Sequence, residues 1–109
     1  PEVLSSVLKC GDIELDRETH RVHRKSREVR LGPTEFRLLE FLMASPGRVF
    51  SRSQLLDGVW GHDIYVDERT VDVHVRRLRA KLGEEHASLI HTVRSVGYRF
   101  GLSRFTPHD

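Results

Sequence analysis

The sequence is poor in the residues that stabilise very small or secreted domains and in those that hold metals. It has one cysteine, Cys10, in 109 residues. A single thiol excludes an internal disulfide framework, and no C-x-x-C or H-E-x-x-H pattern occurs. Methionine and tryptophan also occur once each, and aromatic residues make up only 7% of the chain. No long apolar run is present. The richest stretch, Leu38 to Ala44, is interrupted by Glu40 and is far too short to span a bilayer. No secretory h-region is visible. These absences predict a reducing, cytoplasmic setting, no membrane association and no cofactor. Clustered carboxylates, which a metal-dependent nuclease needs, are missing as well. Glu35, Glu40, Asp57, Asp63, Asp67, Glu68 and Asp72 are scattered, and Cys10 has no base beside it, so an enzyme is not expected. Seven histidines invite a metal site, but His20 and His23 would point to opposite faces of a strand.

What is present fits one domain, with 38% hydrophobic and 31% charged residues. Net charge is only +2, yet its distribution is uneven. Between Arg69 and Lys81 there are five basic residues and one acid, Asp72, a net of +4 that leaves −2 for the rest of the chain. A local basic stripe on a nearly neutral protein marks a surface for an anionic partner more specifically than uniform basicity does.

Four short, partly alternating segments open the chain: Ser6 to Cys10, Ile13 to Leu15, His20 to His23 and Glu28 to Leu31. Gly11-Asp12, Asp16 to Glu18 and Arg24 to Ser26 separate them as turns, which predicts an antiparallel meander that needs a cover. The cover is the helix beginning at Pro33 or Thr34. Phe36, Leu39 and Met43 recur at helical spacing, and Pro46-Gly47 stops it. A second helix runs from Ser51 to Gly61, with Ser51 and Gln54 as a capping box. Residues 62 to 67 link it to a third.

The third helix is read from VDVHVRRLRAKL. Val71, Val73 and Val75 alternate as a strand would, but Arg76-Arg77 breaks the pattern. The spacing of Val71, Val75, Leu78 and Leu82 puts all four within roughly 60° on a helix. Asp67 is its expected N-cap and Leu82 its end. A hairpin follows, Leu89 to Val93 and Tyr98 to Phe100, with Gly97 expected at positive φ in its loop. The fold class is therefore α+β: an N-terminal four-stranded antiparallel sheet, three helices and a C-terminal hairpin, the order of a winged helix-turn-helix.

With the apolar stripe in the core, the opposite face of the third helix carries Arg69, Val73, Arg76 and Ala80, flanked by Thr70 and Arg77. Arginine and threonine serve phosphates or base edges, and small apolar groups suit thymine methyls. A helix of about 24 Å fits a major groove. The hairpin tip, Arg94, is a compact cation suited to a minor groove, and Thr92 and Tyr98 beside it suit phosphate oxygens. Arg79 lies about 70° from the stripe centre and is expected to pair with an acid such as Glu35, leaving Lys81 solvated or weakly on phosphate. A purely solvated basic face is the plainer alternative for this helix.

GPTEFRLLEFL, SRSQLLDGVWG, YVDERTVDVHVRRLRAKL and TVRSVGYRF, in this order, resemble the winged-helix effector domain of OmpR/PhoB-type response regulators, over about Leu8 to Phe100. Phosphate-starvation regulators are the nearest likeness within that family. The resemblance implies a third helix in the major groove, with Arg77 reading bases and Val73 touching thymine methyls. It implies Arg94 in the minor groove, and Trp60, Arg69, Thr70, His74, Arg76, Thr92 and Tyr98 on the backbone. It further implies tandem direct repeats of TGTCA type, head-to-tail self-association on double-stranded DNA, and a contact of Trp60, Gly61, Val66 and Glu68 with the RNA polymerase sigma subunit. Residue chemistry alone favours Trp60 as a core anchor. Family members carry a receiver domain with a phosphorylatable aspartate. The effector domain fills residues 1–109 as a single domain, so phosphorylation control is expected to lie outside them. The main rival is a winged helix that docks protein and never touches DNA, which would survive loss of Arg77 and Arg94.

Overall fold

In the computed structural model, which describes residues 6–61 and 66–101, the first sheet is a meander in sequence order. It comprises β1 (Val7–Cys10), β2 (Ile13–Asp16), β3 (Arg21–Arg24) and β4 (Arg27–Val29), all antiparallel. Alternation decides the facing: Ile13 and Leu15 are buried while Glu14 between them is exposed. Val22 and Val29 continue the inner row. The turn between β3 and β4 places Lys25 and Ser26 at positive φ.

Helix α1 (Pro33–Met43) covers that inner face with Phe36, Leu38, Leu39, Leu42 and Met43. Pro33 stands at its first turn, where a missing N–H costs nothing. Glu35 reaches back to accept the Gly32 N–H at 2.9 Å. His20 lies in the turn before β3, at φ 59°, and stacks on Phe36 with ring centroids 4.7 Å apart. It does not meet His23, and no group of residues able to hold a metal is found among the described residues.

Three elements escape the sequence pattern. Strand β5 (Val49–Ser51) follows α1 and joins the C-terminal hairpin, β6 (Ile90–Val93) and β7 (Gly97–Phe100), in a second sheet of order β5-β7-β6. Helix α2 is short (Arg52–Leu55) and continues as a π-helical turn, Leu56–Trp60. A four-residue helix, α4 (Glu84–Ala87), follows α3 (Arg69–Leu82). The expected capping box at Ser51 is present, with the Gln54 N–H donating to Ser51 Oγ at 3.1 Å and the Ser51 N–H to Gln54 Oε1 at 2.8 Å. Gly61 ends the second helix at φ 98°. The expected link over residues 62–65 lies outside the described residues.

Helix α3 (Arg69–Leu82) carries the predicted phase: Val71, Val75, Leu78 and Leu82 are all buried. Its N-cap position falls on Glu68, one residue after the expected Asp67, and carries no side-chain cap bond. Asp67 Oδ1 accepts the Arg69 N–H at 2.8 Å just before the helix. β6 (Ile90–Val93) and β7 (Gly97–Phe100) form the hairpin. One expectation about it is corrected. The positive φ in the loop belongs to Ser95 (67°), not Gly97. Gly97 is required for space instead, because a Cβ there would sit 1.9 Å from the carbonyl oxygen of Phe50 in β5.

Candidate nucleic-acid interface

The buried stripe of α3 fixes what its other side presents. Arg69, Arg76, Arg77 and Ala80 are exposed, and Thr70 and Val73 are half-buried. Arg76 and Arg77 make no hydrogen bond or ion pair within the described residues. Arg69 folds onto Asp67, with Nη2 3.3 Å from Oδ2, an exposed pair that competes weakly with any incoming anion.

The two flanks of α3 are held differently. Arg79 donates to the Ile90 carbonyl at 2.6 Å and to Thr92 Oγ1 at 2.8 Å, tying α3 to β6. Lys81 pairs with Glu35 of α1 at 3.2 Å. This reverses the expected pairing of Arg79 with Glu35. Two residues advance a helix by about 200°, so Arg79 and Lys81 face opposite neighbours, and α1 lies on the Lys81 side. Burial opposes the charge on Glu35. The Gly32 N–H and Lys81 outweigh that and hold its carboxyl below the ordinary range.

On the Lys81 flank, His74 Nδ1 lies 2.9 Å from the Thr70 carbonyl oxygen. Its ring meets Trp60 edge-on at 5.2 Å between centroids. Trp60 is half-buried and packs against the core, as residue chemistry predicts. Gly61 and Val66 are half-buried and Glu68 is exposed. The Val59 carbonyl at the end of the π-helical turn accepts from Arg37 Nη2 of α1 at 2.7 Å, which fixes the turn that carries Trp60.

The Arg79 flank meets the hairpin. Arg94, Ser95 and Val96 form its exposed tip, closed by a Val96 N–H to Val93 carbonyl bond of 2.9 Å. Thr92 is exposed. Tyr98, expected to donate to a phosphate, is only 5% exposed, and its hydroxyl donates to Asp72 Oδ1 at 2.5 Å. Side chains alternate along β7, and the Tyr98 ring falls on the face turned to α3, where Asp72 meets it. Arg52 Nε donates to the same carboxylate oxygen at 2.8 Å. The Arg52 and Arg79 guanidinium carbons lie 5.8 and 5.7 Å from the Tyr98 ring centroid. Burial disfavours the Asp72 anion, but hydrogen bonds from Tyr98 and Arg52 hold its pKa below the ordinary aspartate value. Burial, and then the bond to Asp72, push the Tyr98 phenol up. Sequence reasoning missed this cluster. Its only signal was Asp72 itself, the one acid in a basic stretch.

A three-helix core whose last helix turns a basic face to solvent beside a two-stranded wing defines the effector module of a winged helix-turn-helix regulator. Residues 26–100 match the family described as "Transcriptional regulatory protein, C terminal". The phosphate regulon transcriptional regulatory protein PhoB of Rhizobium meliloti (strain 1021) is 81% identical over 99 residues, 90% of this chain and 44% of that protein. The protein of the same name from Pseudomonas aeruginosa is 52% identical over 93 residues, 85% of this chain and 41% of that protein. Among solved structures, the Klebsiella pneumoniae RstA DNA-binding domain in complex with the RstA box superposes with a TM-score of 0.78 at 30% identity, covering 87% of this chain and 96% of that one. The chain belongs to the OmpR/PhoB-type family of response-regulator effector domains, which are transcription regulators and not enzymes. It spans less than half the length of the two curated relatives. No helix among the described residues is long and apolar enough to cross a membrane.

Proposed function

We propose that this domain binds double-stranded DNA sequence-specifically as the effector of a phosphate-responsive transcription regulator. The observation that carries the reading is the division of α3: four apolar residues wholly inside, and Arg69, Arg76 and Arg77 outside with Val73 between them. Helix α3 lies in the major groove, where Arg77 reads bases and Val73 meets thymine methyls. Arg94 enters the minor groove. Trp60, Arg69, Thr70, His74, Arg76 and Thr92 hold the backbone. Tandem TGTCA-type direct repeats, bound head to tail, are the proposed sites. Trp60, Gly61, Val66 and Glu68 are the proposed contact with the polymerase sigma subunit. The identity to two phosphate-regulon regulators supports the regulon.

The test is anisotropy titration of a tandem TGTCA-type duplex and a scrambled duplex at several salt concentrations. Tighter binding to the repeat, with a steep salt slope on both, is expected. Absence of binding at low salt would overturn the proposal in favour of protein docking.

Two substitutions separate the roles of adjacent arginines. Arg77→Ala is expected to cost about 1–3 kcal/mol on the repeat and to relax preference at one or two base pairs. Equal losses on repeat and scrambled DNA would remove it from base reading. Arg76→Ala is expected to weaken all sequences alike and to reduce the salt slope by about one unit. An unchanged slope would show that Arg76 meets no phosphate.

A further inference from the structure

Asp72 is an anomaly for a surface that meets a polyanion. It is the only acid between Arg69 and Lys81, and its side chain is 30% exposed. It stands on the flank of α3 shared by Arg76 and Arg79, where a negative charge weakens attraction to phosphate. One of its oxygens joins three elements: α3 itself, β7 through Tyr98 and the start of α2 through Arg52. The Tyr98 ring lies near the guanidinium groups of Arg52 and Arg79, and Arg79 is in turn bound to Thr92 of β6. The chain of contacts thus runs without a break from α2 through α3 to both strands of the wing.

Reading bases with Arg77 and a minor groove with Arg94 at once requires a fixed angle between helix and wing. We infer that Asp72 is a positioning residue for sequence discrimination: it locks α3 against α2 and the wing, and gives up some general attraction to DNA in doing so. This rests on the DNA-binding reading above.

The two effects of removing the charge have opposite signs, which makes the inference testable. The parent protein, Asp72→Asn, Arg52→Gln and the double variant are titrated against the repeat and scrambled duplexes at one salt concentration, below the melting temperature of each. Asp72→Asn is expected to bind the scrambled duplex as tightly as the parent or tighter, and the repeat more weakly. The ratio of the two affinities falls roughly tenfold, a typical coupling for residues of one network. Arg52→Gln lowers the same ratio, and the double variant lowers it no further. Should Asp72→Asn fail to fold, Arg52→Gln carries the test, since Arg52 is a third exposed at a helix start. Tighter binding of Asp72→Asn to both duplexes by one factor would make Asp72 a mere repulsive charge. Equal weakening on both would make it a stability residue, and either result overturns the inference. If the parent binds neither duplex, the DNA reading fails and this one with it. A parent that discriminates beside variants with an unchanged ratio sinks this inference alone.

Discussion

Replacing Leu78 with alanine is expected to destabilise the domain by about 2–5 kcal/mol, a large part of the total stability of a chain this size. Leu78 is fully buried, midway along the apolar stripe of α3 and facing the core that α1 and the sheet close from the other side. Truncation removes the transfer energy of the side chain and leaves a cavity that two anchored neighbours, Val75 and Leu82, keep open. Urea denaturation followed by circular dichroism measures it: the midpoint should fall with the slope unchanged. The same substitution checks the geometry of the interface. Arg76 and Arg77 are placed outward by the phase that places Leu78 inward, so a stability-neutral Leu78→Ala would undo the assignment of both arginines.

That phase was legible in the sequence because amphipathic spacing over about three turns is a strong signal, and the burial of Val71, Val75, Leu78 and Leu82 leaves it no latitude. The meander was legible for the same kind of reason: alternation set the inward residues, and turn residues set the breaks. The capping box at Ser51 was readable because a cap is a local matter, while the N-cap of α3 was placed one residue early, at Asp67 instead of Glu68. What escaped was short or long-range. Three residues, Val49–Ser51, are too few to show a period, and β5 exists because β7 pairs with it. The π-helical turn at Leu56–Trp60 has no pattern distinct from an α-helix and is held by Arg37 from another helix. Glu35, expected to pair with Arg79, is taken by Lys81 instead, because spacing gives the direction of a side chain but not which neighbour stands there. Tyr98 was expected on phosphate from its place in the wing, whereas its buried ring turns the hydroxyl to Asp72.

Gly97 shows the same limit with the largest local consequence. Its place in a hairpin suggested a need for positive φ, which Ser95 meets instead. Gly97→Ala is therefore expected to be costly for a reason no turn preference contains. A Cβ at Gly97 would lie 1.9 Å from the Phe50 carbonyl oxygen and 2.9 Å from Ser51 Cα, both backbone atoms that cannot rotate away. Relief requires β5 to move off β7 and break the Ser51–Gly97 and Phe50–Tyr98 pairing. A cost of about 3 kcal/mol or more is expected, the upper end for overpacking. The damage should spread, because Ser51 caps α2 and Tyr98 holds Asp72 of α3. Hydrogen exchange gives the discriminating view. Amides of β5 and β7 should lose protection first, while those of β2 and β3 in the other sheet keep theirs until global unfolding. DNA affinity should fall with the second sheet, since the wing and the recognition helix are both anchored to it. Parent-like stability for Gly97→Ala would mean that β5 can step back from β7 at little cost, and that the wing is set by the β6–β7 hairpin and its tie to Arg79 alone.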